Sequence, residues 1–340
     1  MSYSKILVGT DGSQTAQRAE SIAARLAAAM DAELVVASAY SGEPSEADNL
    51  LEKAGKAASA IGVKVRTEKF KGTPADGLID LADKELTELL VVGNKGMDAG
   101  RLSLLGNVPN KISHQAGCDL LIVSTSGDIG RPDAVYGRVL VATDGSATAG
   151  EAARKACQLA ESIGASVVLV HVGEPDAGTK ILTEAADRLA FTGELQTVTV
   201  SGDPAEKIIE VAAGRNASLI VVGNKGMAGT KRLLLGSVPD KISHKARCDV
   251  LIARTTTKSL SDLGPGEGAI VVARGRKMAA FKDPKGEVIA LSHRCTHMGC
   301  TVDWNSDEQT WDCPCHGSRY SYQGEVIEGP AQKNLAKIEL

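Results

Sequence analysis

One stretch of this chain occurs twice. Residues 93–122 read GNKGMDAGRLSLLGNVPNKISHQAGCDLLI, and residues 223–252 read GNKGMAGTKRLLLGSVPDKISHKARCDVLI, 130 positions later. Upstream, Ile6-Leu7-Val8-Gly9-Thr10-Asp11-Gly12-Ser13 returns as Val139-Leu140-Val141-Ala142-Thr143-Asp144-Gly145-Ser146. A period this long is a whole domain of chain, so the repeat reads as a tandem duplication rather than a solenoid.

Each copy alternates strand and helix. In the first, Lys5–Val8, Leu34–Ala37, Val63–Phe70, Leu89–Val92 and Leu120–Val123 read as strands. Helices are expected over Ala16–Met30, Ser45–Ile61, Pro74–Glu85 and Val108–Ala116, with Ser13 and Thr73 as N-caps and Pro74 at a first helical position. The second copy repeats this, with strands at Val139–Val141, Val167–His171, Glu194–Val200, Leu219–Val222 and Val250–Ala253. Unbroken Val, Ile and Leu strands alternating with helices predict a doubly wound, Rossmann-like parallel sheet covered on both faces.

Ligands of such sheets bind beyond the carboxyl ends of the strands. There, after the fourth strand, the copies carry Gly93-x2-Gly96-x9-Gly106-Asn107 and Gly223-x2-Gly226-x9-Gly236-Ser237, each opening a helix. Glycine lets backbone approach a ligand, and a helix N-terminus offers free N–H groups to phosphate; tight turns would use the same residues. Asp11 and Asp144 end the first strand of each copy on that edge.

Strand–Asp-Gly-Ser–helix with Gly-x2-Gly-x9-Gly-[Ser/Asn], twice over residues 1–257, resembles the universal stress protein family. The resemblance implies ATP, or another adenine nucleotide, at each site. Asp11 and Asp144 match the residue that contacts ribose or adenine. Val172 and Ala39 match the position whose backbone reads the adenine edge. Gly93, Gly96 and Gly106, with Gly223, Gly226 and Gly236, match the phosphate loop, and Ser237 its hydroxyl. Asn107 departs from that hydroxyl, and Pro109 and Pro239 each stand where many ATP binders have a hydroxyl, so repeat two is the better site. Lys95, Lys225, Arg101, Lys231 and Arg232 read as surface cations. The family commonly dimerises, so the tandem pair resembles an internal dimer and a homo-oligomer is possible. His114 and His244, in the repeated Lys-Ile-Ser-His, read as structural helix-terminal histidines without a carboxylate cluster nearby; His171 ends a strand.

The chemistry near the end differs. Cys295-Thr296-His297-Met298-Gly299-Cys300 and Cys313-Pro314-Cys315-His316-Gly317-Ser318 hold two ligand pairs, Cys295/His297 and Cys313/His316. Two thiolates and two imidazoles suit a structural zinc, or an iron–sulfur cluster in which His replaces Cys on one iron. One-residue spacing in the first pair is short for a zinc hairpin.

Cys-Thr-His-x-Gly-Cys with Cys-Pro-Cys-His-Gly-Ser resembles the Rieske [2Fe-2S] family, over about the last 80 residues. The resemblance implies that Cys295 and Cys313 hold one iron and His297 and His316 the other. It also implies a Cys300–Cys315 disulfide, and hydroxyls of Ser318 and Tyr320 aimed at a bridging sulfide and a ligand thiolate. Met298 replaces the commoner Leu. Neutral imidazoles lower the cluster's negative charge and raise its potential to about −150 to +300 mV; two hydroxyl donors place the expectation in the upper part of that range. His293 lies two residues before Cys295 and could mimic a ligand, but the first pair is already complete.

The boundaries expected are 1–127 and 134–257 for the α/β domains and 261–340 for a small antiparallel β domain. Residues 254–268, rich in Thr, Ser, Gly and Pro, read as a linker. Five of the ten aromatics fall in the final domain, where strands are expected at Ala269–Arg274, Met278–Lys282, Val288–Leu291 and Gln309–Asp312. Cys118, Cys157 and Cys248 read as small buried thiols. A net charge of −4 gives no footprint for nucleic acid or an anionic membrane. No apolar signal segment or membrane-length run is visible, so a cytoplasmic location is expected, although a disulfide is unusual there.

The function read from these features is electron transfer or redox sensing with an unidentified redox donor or acceptor, beside adenine-nucleotide binding, and without a substrate-converting site of its own. Two alternatives are a Rieske component of an oxygenase system and a stress-response scaffold with a sensing cluster. An oxygenase site needs two His and a carboxylate on a further iron, and the six His leave no such set.

Overall fold

The structure is a computed structural model describing residues 3–96, 105–125, 135–224, 235–254, 260–313 and 315–340. The first repeat supplies β1 (Lys5–Gly9), α1 (Gln14–Met30), β2 (Glu33–Tyr40), α2 (Pro44–Ser59), β3 (Val65–Lys71), α3 (Pro74–Lys84), β4 (Leu89–Gly93), α4 (Asn107–Gln115) and β5 (Asp119–Val123). The second supplies β6 (Arg138–Ala142), α5 (Ala147–Ile163), β7 (Ser166–Val172), α6 (Pro175–Leu189), β8 (Leu195–Val200), α7 (Pro204–Gly214), β9 (Leu219–Gly223), α8 (Ser237–Lys245) and β10 (Asp249–Ala253). Ser13 and Ser146 cap α1 and α5, each accepting at 3.2 Å from the N–H three residues on. Thr73 stands at the N-cap of α3, but its hydroxyl bonds Asp76 rather than a helix N–H.

Each repeat forms a parallel sheet, as expected, in the strand order 3-2-1-4-5. The two do not form separate sheets. β5 and β10 pair antiparallel, giving one ten-stranded sheet in the order β3-β2-β1-β4-β5-β10-β9-β6-β7-β8. Leu121 pairs with its own counterpart Leu251, so a local two-fold passes through the junction. One apolar layer lies under α1, α2, α5 and α6, and the other under α3, α4, α7 and α8.

Two buried carboxylates fasten this junction. Asp119 accepts from Tyr3 Oη at 2.8 Å, Lys155 Nζ at 2.8 Å and Arg254 N at 2.7 Å. Asp249 accepts from Arg18 Nη1 at 2.6 Å, Ser124 N at 2.9 Å and Tyr136 Oη at 2.9 Å. Each Asp takes a Tyr from its own repeat and a cation from the other.

The last domain holds two antiparallel sheets. β11 (Gly268–Ala273), β12 (Arg276–Lys282) and β13 (Val288–Leu291) form one. β14 (Asp303–Asn305), β15 (Thr310–Asp312), β16 (Arg319–Ser321) and β17 (Val326–Glu328) form the other. Of these, β14, β16 and β17 go beyond the strands expected. Trp311, Tyr320, Phe281, Leu291 and Val302 fill its core with Cys295, Cys300 and Cys313. Within the expected linker, Leu260–Asp262 forms a 3-10 turn and Leu263 is buried among Val271, Met278 and Ala280. Arg254, at its start, donates through Nη2 to the Ser113 carbonyl at 2.6 Å. Among the described residues, no helix is long and apolar enough to cross a membrane.

Candidate functional site

The iron–sulfur motif folds into two loops at one end of the last domain. The first is a tight hairpin closed by Cys295 N to Cys300 O at 2.8 Å and Gly299 N to Cys295 O at 2.8 Å. The second closes from Cys313 N to Ser318 O at 2.7 Å, where β15 hands over to β16. A Cys300–Cys315 disulfide ties the loops together across 6.5 Å between Cα atoms. The sulfurs of Cys300, Cys313 and Cys315 lie within 4.8 Å of one another. With two of them in the disulfide, Cys313 keeps the only thiol of that group.

Cys295 and Cys313 are free and buried. The hydrogen bond from Cys313 holds the Cys295 thiol down to about 5, helped by Tyr320 and Ser318 and opposed by burial. Cys313 is pushed up, by Cys295 first and then by burial. These adjacent sulfurs stand in for two thiolate ligands. The Tyr320 hydroxyl lies 3.1 Å from Cys295 Sγ and accepts from Thr296 N at 3.1 Å. Burial first, then Cys295, pushes Tyr320 up to about 12, so it stays a donor. Ser318 is fully buried, and its Oγ accepts from Ala331 N at 3.1 Å.

The imidazoles behave differently. His297 and His316 are exposed, and their rings meet edge to face with centroids 4.9 Å apart. Met298, 53% exposed, follows His297 in the chain. The donor set is therefore sided: sulfur inward with hydroxyl donors, nitrogen outward. That matches a cluster needing two thiolates on one iron and two imidazoles on the other. His293 does not join it; its Nε2 lies 3.1 Å from Asp83 Oδ2.

Sequence reasoning missed two supports. Thr296 Oγ1 donates to the Lys333 carbonyl at 2.6 Å. Gly329 has φ +102, and a Cβ there would stand 2.5 Å from Ser318 Cα. No local pattern marks either one, because both partners come from a distant stretch of chain.

The glycine loops sit at the carboxyl ends of β4 and β9. Asp11 Oδ1 accepts from Ser13 N at 2.9 Å, and Asp144 Oδ1 from Ser146 N at 3.0 Å. Gly96 passes so close to Asp11 that a Cβ would stand 2.7 Å from Oδ2. Gly106 and Gly236 are the N-caps of α4 and α8, without a side-chain cap bond, so Asn107 and Ser237 open these helices. Ala39 and Val172 are half-buried near the ends of β2 and β7. Gly93 ends β4 and Gly223 ends β9. Gly226, with Lys225, Arg101, Lys231 and Arg232, lies outside the described residues. The repeated histidines meet one carboxylate rather than a cluster: Asp240 Oδ1 is 3.7 Å from His114 Nε2 and 3.8 Å from His244 Nε2. α4 and α8 meet there across the local two-fold, a proximity one repeat cannot reveal. Burial, above all, lowers the His114 pKa.

Known families match both halves of this architecture. The Universal stress protein family profile matches residues 2–60, 38–124 and 136–254, and the Rieske [2Fe-2S] domain profile matches residues 254–339. The chain belongs to the universal stress protein family, with a Rieske domain following its tandem α/β pair. Universal stress protein Rv2005c of Mycobacterium tuberculosis is 30% identical over 210 residues, covering 56% of this chain and 70% of that one. YhfW of Bacillus subtilis, described as a Rieske 2Fe-2S iron-sulfur protein, is 53% identical over 79 residues, covering 23% of this chain. The chain spans only 16% of the length of YhfW. A universal stress protein from Archaeoglobus fulgidus shares the fold, with a TM-score of 0.62 at 20% identity over 74% of this chain and 98% of that one. A Rieske domain implies a [2Fe-2S] cluster, and the sided donor set fits one.

Proposed function

We propose that the chain is a Rieske-type electron-transfer or redox-sensing protein whose α/β domains bind an adenine nucleotide, ATP in the first instance. The observation that carries the redox reading is the sided donor set: Cys295 and Cys313 buried and within hydrogen-bonding reach, His297 and His316 exposed and in ring contact. Cys295 and Cys313 would hold one iron and His297 and His316 the other. The cluster supplies one-electron chemistry. The protein's part is to exclude water from the sulfur side, to aim the Tyr320 and Ser318 hydroxyls at sulfur, and to leave the imidazole edge open to a redox partner. Donors at sulfur favour the more negative, reduced form and raise the potential.

The nucleotide reading rests on Gly96 against Asp11 and on the open N-termini of α4 and α8. Ser237 adds a hydroxyl that Asn107 does not, which favours repeat two. A cytoplasmic setting and self-association belong to the same proposal. Purified chain expressed with iron should carry two irons and two sulfides, with a reversible one-electron couple above 0 mV, in the upper part of the roughly −150 to +300 mV range. A colourless chain, or one that binds zinc in preference, defeats the redox reading. Equilibrium dialysis without saturable ATP binding defeats the nucleotide reading.

A further inference from the structure

The Rieske domain is held against α3 by an unusual knot of charge. Asp83, a half-buried residue of α3, faces two cations and a histidine of the Rieske domain. Lys277 Nζ lies 3.1 Å from Oδ1, His293 Nε2 3.1 Å from Oδ2, and Arg294 Nη2 2.5 Å from Oδ2. Side-chain exposure is 11% for Asp83, 5% for Lys277 and 10% for His293. Asp80, one turn earlier and exposed, adds a contact to Arg294 Nη2 at 3.2 Å. Lys277 Nζ also reaches the Gly117 carbonyl at 3.4 Å.

Arg294 does not stop at the domain contact. Its Nη1 donates to the Gly299 carbonyl at 2.8 Å. Gly299 sits at φ +74 in the turn of the first ligand loop and bonds back to Cys295. Arg294 also forms the bridge with Thr301 at the base of that hairpin. One planar guanidinium thus joins α3 to the loop that carries Cys295 and His297. The second loop is built differently, on β15 and β16 of the Rieske domain itself. The first ligand loop thus has a contact with the α/β domain in addition to its supports within the Rieske domain.

We propose that Asp83 is a positioning residue for the Cys295–Cys300 loop, acting through Arg294, so that the first α/β domain sets the geometry of half the cluster's ligand set. This rests on the reading that Cys295 and His297 are ligands. Arg294 spans the acid and the carbonyl with two nitrogens at fixed spacing, Nη2 on Asp83 and Nη1 on Gly299, whereas Lys would offer a single ammonium on a flexible stem.

The test uses the full chain with Asp83→Asn, Asp83→Glu and Asp80→Asn, each measured for iron content, electron paramagnetic resonance spectrum, midpoint potential and amide exchange of residues 295–300. Asp83→Asn should load its cluster with an altered spectrum and loop amides exchanging about tenfold faster. Its reduced-to-oxidised ratio at fixed poise should rise about tenfold, equal to about 59 mV upward, because the cations lose their counter-charge. Asp83→Glu should recover much of the loop protection, and Asp80→Asn should resemble the parent. A raised potential with unaltered spectrum and loop exchange would reduce Asp83 to a remote charge and overturn positioning. If Asp83→Asn does not fold, Arg294→Lys, which keeps the charge but not the fork, must show the same faster exchange; unchanged exchange overturns the proposal. A parent chain that never takes up a cluster defeats the functional reading instead, and loop exchange in that iron-free chain still decides whether Asp83 positions the loop.

Discussion

Replacing Tyr320 by Phe removes one oxygen from a fully buried ring and leaves the ring's packing against Trp311 and its strand pairing in place. That oxygen lies 3.1 Å from Cys295 Sγ. A hydrogen bond to a charged partner is worth about 1.5–3 kcal/mol. Only the part that differs between oxidised and reduced forms moves a potential, and an added electron is shared among irons, sulfides and ligands. Taking a third of about 2 kcal/mol gives about 0.7 kcal/mol. In a one-electron couple, where about 59 mV corresponds to about 1.4 kcal/mol, this lowers the midpoint by about 30 mV. The assay is a redox titration of both proteins at one pH, followed by electron paramagnetic resonance. The oxygen also accepts from Thr296 N, so Tyr320→Phe should cost about 1 kcal/mol of stability as well. A midpoint unchanged within about 10 mV, or one that rises, would refute the argument that this hydroxyl stabilises the reduced form.

Asp249→Ala removes a fully buried acceptor from Arg18, Ser124 and Tyr136. Stability in urea unfolding should fall by about 3–5 kcal/mol, the cost of stranding a buried partner charge; a loss under about 1 kcal/mol contradicts that account. Burial alone would raise the Asp83 carboxyl, but His293, Lys277 and Arg294 hold it well below the usual range. A depressed folded-state pKa means that the contribution is complete above the unfolded value near 3.8 and is lost as pH falls from there toward the folded value. Interdomain protection, read by hydrogen exchange, should therefore stay flat from neutral pH down to about 4.5 and decline below it; a decline already complete above about 4.5 contradicts this account. Gly329→Ala places a methyl 2.5 Å from Ser318 Cα at a positive φ, so it should impair iron loading while leaving ATP binding unchanged, measured as iron per chain and by dialysis.

The tandem α/β halves were legible because their strands are continuous runs such as Leu89–Val92 and Val167–Val170, bounded by helices with readable caps. The candidate ligand residues stood out because cluster chemistry asks for Cys and His at short spacing. β14, β16 and β17 were not, since a three-residue strand offers no measurable alternation and β16 runs straight out of a ligand loop. Contacts between domains left no local trace either. Asp83 sits in an ordinary amphipathic helix, and its partners lie 194 and 210 positions away. Asp119 and Asp249 went unread for the same reason, since the cation each one accepts from lies in the other repeat.

The antiparallel β5–β10 junction has an evolutionary consequence. In a dimer of identical chains, every substitution appears in both sites at once, and a contact that must be self-complementary restricts what either can become. Here the same kind of junction is covalent, so its halves mutate separately. Asn107 and Ser237 open equivalent helices with different chemistry, and α3 rather than α7 carries the acid that grips the Rieske domain. A duplicated chain thus escapes the symmetry that its own interface would otherwise enforce, leaving one repeat free to keep an ancestral site while the other acquires a new attachment.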